Sequence, residues 1–293
     1  MSDFSSDKKW KKYYGTWRPV TPPDVSADIK AIQDGTLWNE GAPYARWTSH
    51  WDVPVETDFW YCIKDTPFDI SDVKSKRRYY LKKGESNFNV KQIETVEYLK
   101  EIYEITDSAL RSYVDYNGPE DYETFKKRMI SRKDIITLGA FSKESGGLCG
   151  FINVKEYDNY VDFMTLKVDP SYEKQQINAA LVYGLLKKYN NLLNKEGFYI
   201  NDGMRAINHR TNFQEYLMKY FNFRLAYCQL NVAYNPKLEM LVKLAFPFRK
   251  IIKRMKGNFS NKVSVILTLE EISRNTKMQV DKNYKERKED MYE

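Results

Sequence analysis

Two residues of the third quarter of the chain could exchange protons with a substrate. Asp202 directly follows the predicted strand Phe198–Asn201, where a carboxylate could act as a base or orient a water. His209 is one of two histidines, and a free imidazole with a pKa of ~6.5 suits proton transfer near neutral pH. Structural roles compete with both, because Asp202-Gly203 is a common turn pair and a lone histidine often lies in a loop or cap.

A basic segment, 74–84, could bind phosphate groups. Its cations are Lys74, Lys76, Arg77, Arg78, Lys82 and Lys83. Adjacent arginines suit bidentate binding of phosphate, and Gly84 would allow a backbone to approach an anion. We predict that Arg77, Arg78, Lys82 and Lys83 bind the phosphate of CoA, of a nucleotide-linked sugar or of tRNA. The competing interpretation is a solvated charged face.

Composition limits the classes of function. The 293 residues include 47 Lys plus Arg and 40 Asp plus Glu, and a net charge of +7 favours anionic partners. Cys62, Cys149 and Cys228 are far apart and lack metal-binding spacing, so we expect neither a metal site nor disulfides. Free cysteines, the polar N-terminus and the lack of a long apolar window favour a cytoplasmic protein, soluble or peripheral on the inner face of the membrane.

The order of predicted elements defines the fold class. From Asn87, apolar spacing predicts the order β, α, α, β, β, β, α, β, α, β. Consecutive strands pair as hairpins and one helix crosses over, so the prediction is an α/β (α+β) fold with a mixed, mostly antiparallel sheet flanked by helices.

We divide the chain into four predicted parts. Residues 1–58 are rich in proline and tryptophan, which indicates an irregular aromatic arm packed on the main domain through Trp17, Trp38, Trp47 and Trp51. The main domain covers 59–235, and a basic helical extension covers 236–280. The charged tail, 281–293, is predicted to be disordered.

Residues 237–256 form a basic amphipathic segment that Pro247 should interrupt. Its predicted apolar side consists of Leu238, Leu241, Val242, Ala245, Phe248 and Ile252. Such a helix can dock on its own domain or lie on an anionic membrane surface. We favour docking on its own domain, together with some peripheral contact with the membrane.

The strand, helix, strand order from Val161 to Asn235 resembles the second half of the GNAT superfamily of acyl-CoA-dependent N-acyltransferases, and the resemblance extends back to Asn87. It implies that the loop before the long helix binds the pyrophosphate of acyl-CoA through backbone N–H groups, as a helix N-terminus can. The implied cofactor-binding residues are Lys174, Gln175, Gln176, Ile177, Asn178, Ala179 and Asn212. Gln176 and Asn178 replace the usual glycines, and an ordinary helix start is the alternative.

The segment from Asn212 to Arg224 resembles the last element of that family. Asn222-Phe223 matches the family's Gly-Phe pair, since asparagine also tolerates a left-handed cap. Met218 falls where the tyrosine general acid is expected, so Tyr220 is the candidate replacement, with Tyr216 beside it.

Three further segments resemble the FemX-type proteins of bacterial cell-envelope and polysaccharide metabolism. These segments are Lys76–Gly84, Asp202–His209 and Phe246–Lys250. The resemblances together imply an enzyme that transfers an acyl group from acyl-CoA to an amine of a small-molecule or glycan-precursor substrate. Acetyl-CoA is the leading candidate for the donor. The alternatives are a FemX-like transferase that uses aminoacyl-tRNA, the one case in which nucleic acid would bind, and a non-catalytic GNAT-shaped binding or scaffold protein.

Overall fold

The computed structural model describes residues 4–5, 7–13, 15–111, 113, 116–207, 212–255 and 257–290. The strands in this part of the chain are β1 (Trp10–Tyr13), β2 (Thr16–Pro19), β3 (Tyr44–Ser49), β4 (Trp60–Lys64), β5 (Phe88–Ile93), β6 (Ile136–Ser142), β7 (Leu148–Glu156), β8 (Tyr160–Val168), β9 (Tyr199–Met204), β10 (Arg224–Tyr227) and β11 (Gln229–Tyr234). The α-helices are α1 (Lys30–Gln33), α2 (Ser75–Asn87), α3 (Leu99–Leu110), α4 (Tyr122–Ile130), α5 (Ile177–Tyr189), α6 (Phe213–Phe221), α7 (Pro236–Ala245), α8 (Arg249–Ile252) and α9 (Asn258–Asp290).

The larger sheet has the strand order β10-β4-β9-β8-β7-β6-β5. Strands β5 to β8 follow one another as antiparallel neighbours, and β9 joins β8 in parallel after the crossover through α5. The predicted mixed, mostly antiparallel sheet flanked by helices is therefore confirmed.

The described residues fall into two compact units. Unit 1 draws on Met1–Tyr61, Met204–Thr211 and Leu225–Glu293, and unit 2 on Cys62–Gly203 and Asn212–Arg224. Both units are assembled from segments that are distant in sequence.

The core of unit 2 forms on two helices. Eight residues of α5 are buried, among them Leu181 and Leu185, and the helix packs on β5, β6 and β7. Ile102 and Ile105 of α3 join a second cluster with Phe125 of α4. The helical spacing that predicted α3 and α5 thus reflects the faces that they bury.

Unit 1 corrects the predicted irregular arm. Residues 10–49 contribute β1, β2 and β3 to a sheet with the order β1-β2-β3-β11. Trp10 and Trp17 are fully buried in a cluster with Leu37, and Trp38 and Trp47 pack around it. The tryptophans therefore form a core of their own. The sequence shows no clear alternation of apolar and polar residues here, because β1 and β2 have only four residues each and β2 ends at a proline.

The C-terminal region differs from the predicted tail. Helix α9 extends from Asn258 to Asp290, so residues 281–290 are helical, and 291–293 lie outside the described residues. Residues 258–290 contain neither glycine nor proline, and their lysines, glutamates and arginines are good helix formers.

The basic extension divides where proline was expected to interrupt it. A 3-10 helix, Phe246–Phe248, separates α7 from α8. Leu238, Val242, Ala245 and Ile252 pack on Tyr234 and Leu267, which confirms docking for one side of the segment. Leu241 and Phe248, predicted to face inward, are exposed. None of the described helices is long and apolar enough to cross a lipid bilayer.

Candidate active site

The C-terminal ends of β8 and β9 define the candidate site in unit 2. These parallel strands pair from Tyr160↔Tyr199 to Asp162↔Asn201. Beyond that point β8 follows β7 to Val168, while β9 continues to Met204. Asp202 therefore directly follows the last paired residue of β9, Asn201, at the edge where the two strands separate.

Asp202 has the properties of a base at this edge. Burial raises the pKa of its carboxyl group from 3.8 to about 7, and a hydrogen bond with Gln214 opposes that rise. Gln214 also donates from Nε2 to the carbonyl oxygen of Gly203 at 3.2 Å. A carboxylate with a pKa near neutrality can accept a proton from an amine and release it again.

The structure does not show the turn alternative for Asp202-Gly203: both residues lie within β9, which extends past the predicted strand end at Asn201 to Met204. Gly203 has a φ of 105°, which favours glycine. The Gly203 N–H donates to Oδ1 of Asn201 at 2.9 Å, and Nδ2 of Asn201 donates to Asp162 at 2.8 Å. These hydrogen bonds fix the backbone of β9 around Asp202, which is compatible with a role in chemistry.

Tyr220, the candidate general acid, lies beside another aromatic side chain of α6. The rings of Tyr216 and Tyr220 are 5.0 Å apart, and Arg77 of α2 lies 5.6 Å from the Tyr220 ring centroid. Burial raises the pKa of Tyr216, so its hydroxyl stays protonated. Met218, which lies between Tyr216 and Tyr220 in the sequence, is half-buried. The helix thus offers two phenols where the family resemblance implies one.

The start of α5 shows an unusual backbone at Gln176. This residue has a φ of 68° and ψ of 37°, the left-handed conformation that glycine adopts most easily. Ile177 and Ala179 are buried, so only their backbones could reach a ligand. Lys174 and Gln175 belong to the preceding 3-10 helix, Pro170–Gln175. The first N–H groups of a helix have no intrahelical acceptor, so this turn can present donors to a phosphate.

Helix α2 places the basic segment beside α5. A Cβ on Gly84 would lie 2.8 Å from the carbonyl oxygen of Gln176 and 3.0 Å from the Ala180 nitrogen. Gly84 therefore permits close helix packing, whereas the sequence suggested close approach to an anion. Arg78 donates to the carbonyl oxygens of Ser71 and Val73, which is a structural role.

The remaining predicted residues are placed as follows. Lys82 is exposed and Lys83 half-buried on α2. Asn178 is half-buried in the first turn of α5, and Asn212 is exposed just before α6. His209 lies outside the described residues.

Sequence reasoning missed two polar residues of unit 2. Gln214 contacts Asp202 from the first turn of α6, and its only sequence signal is its position at a helix start. Lys64, at the end of β4, is buried, and burial lowers its pKa to about 8. Its Nζ donates to Thr66 Oγ1 at 2.5 Å.

Cysteine and metal chemistry have little support in the described residues. The thiols of Cys62, Cys149 and Cys228 are free and buried. Burial raises the pKa of Cys62 and of Cys228, so neither thiol is an activated nucleophile. No group of three His, Cys, Asp or Glu side chains in the described ranges could hold a metal ion.

The strand order, the crossover helix and the separating parallel strands define a GNAT-like fold, as predicted. Solved structures with this class of fold resemble the chain over most of its length. FemX matches with a TM-score of 0.55 and 10% identity, covering 79% of this chain and 85% of that one. The C-terminal domain of a putative lysylphosphatidylglycerol synthetase from Agrobacterium fabrum matches with a TM-score of 0.52 and 11% identity, covering 82% and 85%.

A third structure, L-PGS from Bacillus licheniformis, matches with a TM-score of 0.49 and 14% identity, covering 93% of this chain and 89% of that one. No protein-family model matches the sequence, and no curated protein matches it. The likeness to FemX and to the synthetase domain, both with TM-scores above 0.5, shows the fold alone.

Proposed function

We propose that this protein is an N-acyltransferase that moves an acyl group from acyl-CoA to an amine of a small-molecule or glycan precursor of the cell envelope. The observation that carries the proposal is Asp202, a carboxyl with a pKa of about 7 at the C-terminal end of β9. A fold shared with FemX and a lysylphosphatidylglycerol synthetase domain supports group transfer as the class of reaction.

The reaction needs a nucleophilic amine and a protonated leaving group. In the proposed step, the amine nitrogen attacks the thioester carbonyl carbon, so that a C–N bond forms and the C–S bond breaks. The Asp202 carboxylate accepts the proton that the amine loses, and the Tyr220 hydroxyl donates a proton to the departing thiolate. The turn at Gln176 supplies backbone donors for the pyrophosphate, with Lys174 next to it.

A second candidate donor is aminoacyl-tRNA, which the likeness to FemX favours. The chemistry at Asp202 stays the same, but a C–O ester bond breaks in place of the C–S bond. Arg77 and Lys82 on α2 would then contact tRNA phosphates.

Peripheral association with the inner face of an anionic membrane is the third part of the proposal. Large apolar side chains of α7, α8 and the residues after them are between 58% and 66% exposed: Met240, Leu241, Leu244, Phe248, Ile251 and Met255. Lys237, Lys243, Lys250, Lys253 and Arg254 lie in the same segment. Apolar side chains flanked by cations match the boundary between acyl chains and anionic headgroups.

Thermal-shift titration of the full chain tests the donor directly. Acetyl-CoA, longer acyl-CoAs, free CoA and aminoacyl-tRNA are added separately, because a ligand that binds the native state raises its stability by about 2.7 kcal/mol at 100 times Kd. Release of CoA thiol in the presence of amines then measures transfer. If only aminoacyl-tRNA stabilises the protein, the donor is aminoacyl-tRNA and not acyl-CoA. If none of these ligands stabilises it, the proposal that the protein is a transferase is rejected.

A further inference from the structure

A cavity in unit 1 has a polar side made by two arginines. It has a volume of about 80 Å³ and is partly open to solvent. Its lining includes the polar Arg18, Thr21 and Arg46 and the apolar Phe59 and Leu230. These residues have no part in the acyl-transfer chemistry proposed above.

Strand register places the two arginines next to each other. β2 and β3 are parallel, and Trp17 is paired with Ala45. Arg18 and Arg46 are the following residues of the two strands, so both lie on the face opposite Trp17 and Ala45. The face of Trp17 and Ala45 is the buried tryptophan core. Like charges at neighbouring positions of adjacent strands destabilise a sheet unless a counter-charge joins them.

The two guanidinium groups are desolvated. Burial lowers the pKa of Arg18 to about 10, with the charge of Arg46 as the second cause, and burial also lowers the pKa of Arg46. In the described residues neither side chain forms an ion pair with a carboxylate. The Nε atoms of both arginines and Oγ1 of Thr21 are buried without a hydrogen-bond partner. Three buried polar groups and two like charges therefore converge on one small volume.

We propose that this cavity binds a phosphate group. A phosphate monoester carries a charge of about −1.5 to −2 at neutral pH, which matches two guanidinium groups better than a monocarboxylate does. Its oxygens can accept from both Nε groups, as arginine–phosphate pairs commonly do. One water needs roughly 10–15 Å³ of such a volume, so the cavity accepts one compact anionic group and a few waters.

The apolar side of the cavity indicates how the rest of the ligand is attached. Pro22, Phe59 and Leu230 would contact a carbon substituent of the phosphate. The phosphate could belong to a soluble phosphate ester or to a lipid headgroup. The chemistry recognised is the same in both cases.

Titration with inorganic phosphate tests the site, with potassium chloride at equal ionic strength as the reference. Unfolding temperature reports binding, and Trp47, which lines the cavity, supplies a fluorescence signal. The variants are Arg18→Gln and Arg46→Gln. The matched control is Lys277→Gln, which removes one positive charge from an exposed position of the same unit, outside the basic segment.

Phosphate should raise the unfolding temperature of the wild type and of Lys277→Gln. In Arg18→Gln and Arg46→Gln the apparent Kd should rise at least tenfold, while stability without phosphate stays equal or increases because a desolvated charge is gone. Equal responses in all four proteins, or equal stabilisation by acetate and phosphate, would overturn the proposal.

Two further arms complete the experiment. If Arg18→Gln fails to fold, Arg18→Lys keeps the charge but loses the planar fork, and its phosphate affinity should still fall. Tighter binding of glycerol phosphate than of inorganic phosphate indicates a soluble ester, whereas binding to phosphatidic acid vesicles that both Gln variants weaken indicates a lipid. Acyl-CoA titrations of the Gln variants should match those of the wild type, which separates this site from the proposed transferase site.

Discussion

Gly84 of α2 lies against the backbone of Gln176, at the residue where the chain turns into α5. A Cβ at position 84 would be 2.8 Å from the Gln176 carbonyl oxygen, closer than side-chain carbons approach backbone atoms. Glycine in the middle of a helix normally costs about 0.5–1 kcal/mol relative to alanine. Here helix packing requires it.

Gly84→Ala should therefore destabilise the protein despite alanine's higher helix propensity. Overpacking typically costs about 1–3 kcal/mol, which exceeds the propensity gain. Urea unfolding gives the change in free energy. Gly147→Ala is the control, because its Cβ would meet nothing nearer than 3.6 Å. An increase in stability for Gly84→Ala would contradict the packing argument.

Gln176→Gly should stabilise the native state. A left-handed backbone costs an L-residue roughly 1–2 kcal/mol, and the extra freedom of glycine in the unfolded chain offsets part of that gain. A net gain of up to about 1 kcal/mol relative to Gln176→Ala is expected. At Gln175, in the 3-10 helix, the order should reverse, with alanine more stable than glycine. The same order of alanine and glycine at both positions would argue against left-handed strain.

Much of the fold was predictable because its signals are local. The spacing of apolar residues in 87–235 reports which face each strand and helix buries, so the order of strands and helices there could be predicted. The sheet of unit 1 was not predictable in this way. β3 pairs with β11, from Tyr44↔Tyr234 to Ser49↔Gln229, across most of the chain. Four-residue strands carry too few alternations to show a period.

The candidate site was predictable in its residues but not in its electrostatics. Asp202 could be chosen because it directly follows the predicted strand Phe198–Asn201, although β9 continues to Met204. Its raised pKa depends on burial and on Gln214, which another element brings to it. The φ of Gln176 is likewise a property of the folded turn, and the sequence showed only that a glycine was missing.

Asp202→Asn should lower the transfer rate by about 10²–10⁴, the usual contribution of a general base. Only the carboxylate accepts a proton, so the wild-type rate should rise with pH to a plateau above about 7. Steady-state rates across pH 5 to 9 measure this. A rate that does not depend on pH in this range, or an active Asn variant, would remove Asp202 from the mechanism.

The free energy of unfolding should fall as pH rises, whereas the transfer rate should rise. The folded-state pKa of Asp202 is raised above its ordinary 3.8 to about 7, so the folded protein binds a proton that the unfolded chain has released. The contribution of this group to stability is full below pH ~4 and is lost as pH rises through about 7. Asp202→Asn should flatten that part of the stability profile, measured by urea unfolding at several pH values.

Gln214→Met should move the rate profile to higher pH. The hydrogen bond with Gln214 lowers the pKa of Asp202, so its removal raises that pKa. More hydroxide is then needed to produce the carboxylate, and the midpoint of the rate against pH shifts upward while the plateau rate is kept. A loss of plateau rate with an unmoved midpoint would show that Gln214 acts in some other way.

Leu244→Ser with Ile251→Ser should weaken binding to anionic vesicles. Leu244 is 66% exposed and Ile251 is 63% exposed, so the unfolding temperature should change little. Burying two such side chains in lipid is worth about 3 kcal/mol or more, so vesicle affinity should fall at least tenfold. Cosedimentation with phosphatidylglycerol vesicles measures this, with phosphatidylcholine vesicles showing the contribution of charge. The control is Met278→Ser on α9, which is 65% exposed but lies outside the basic segment. Equal losses in the double variant and the control would show that exposed apolar area alone, rather than this surface, determines binding.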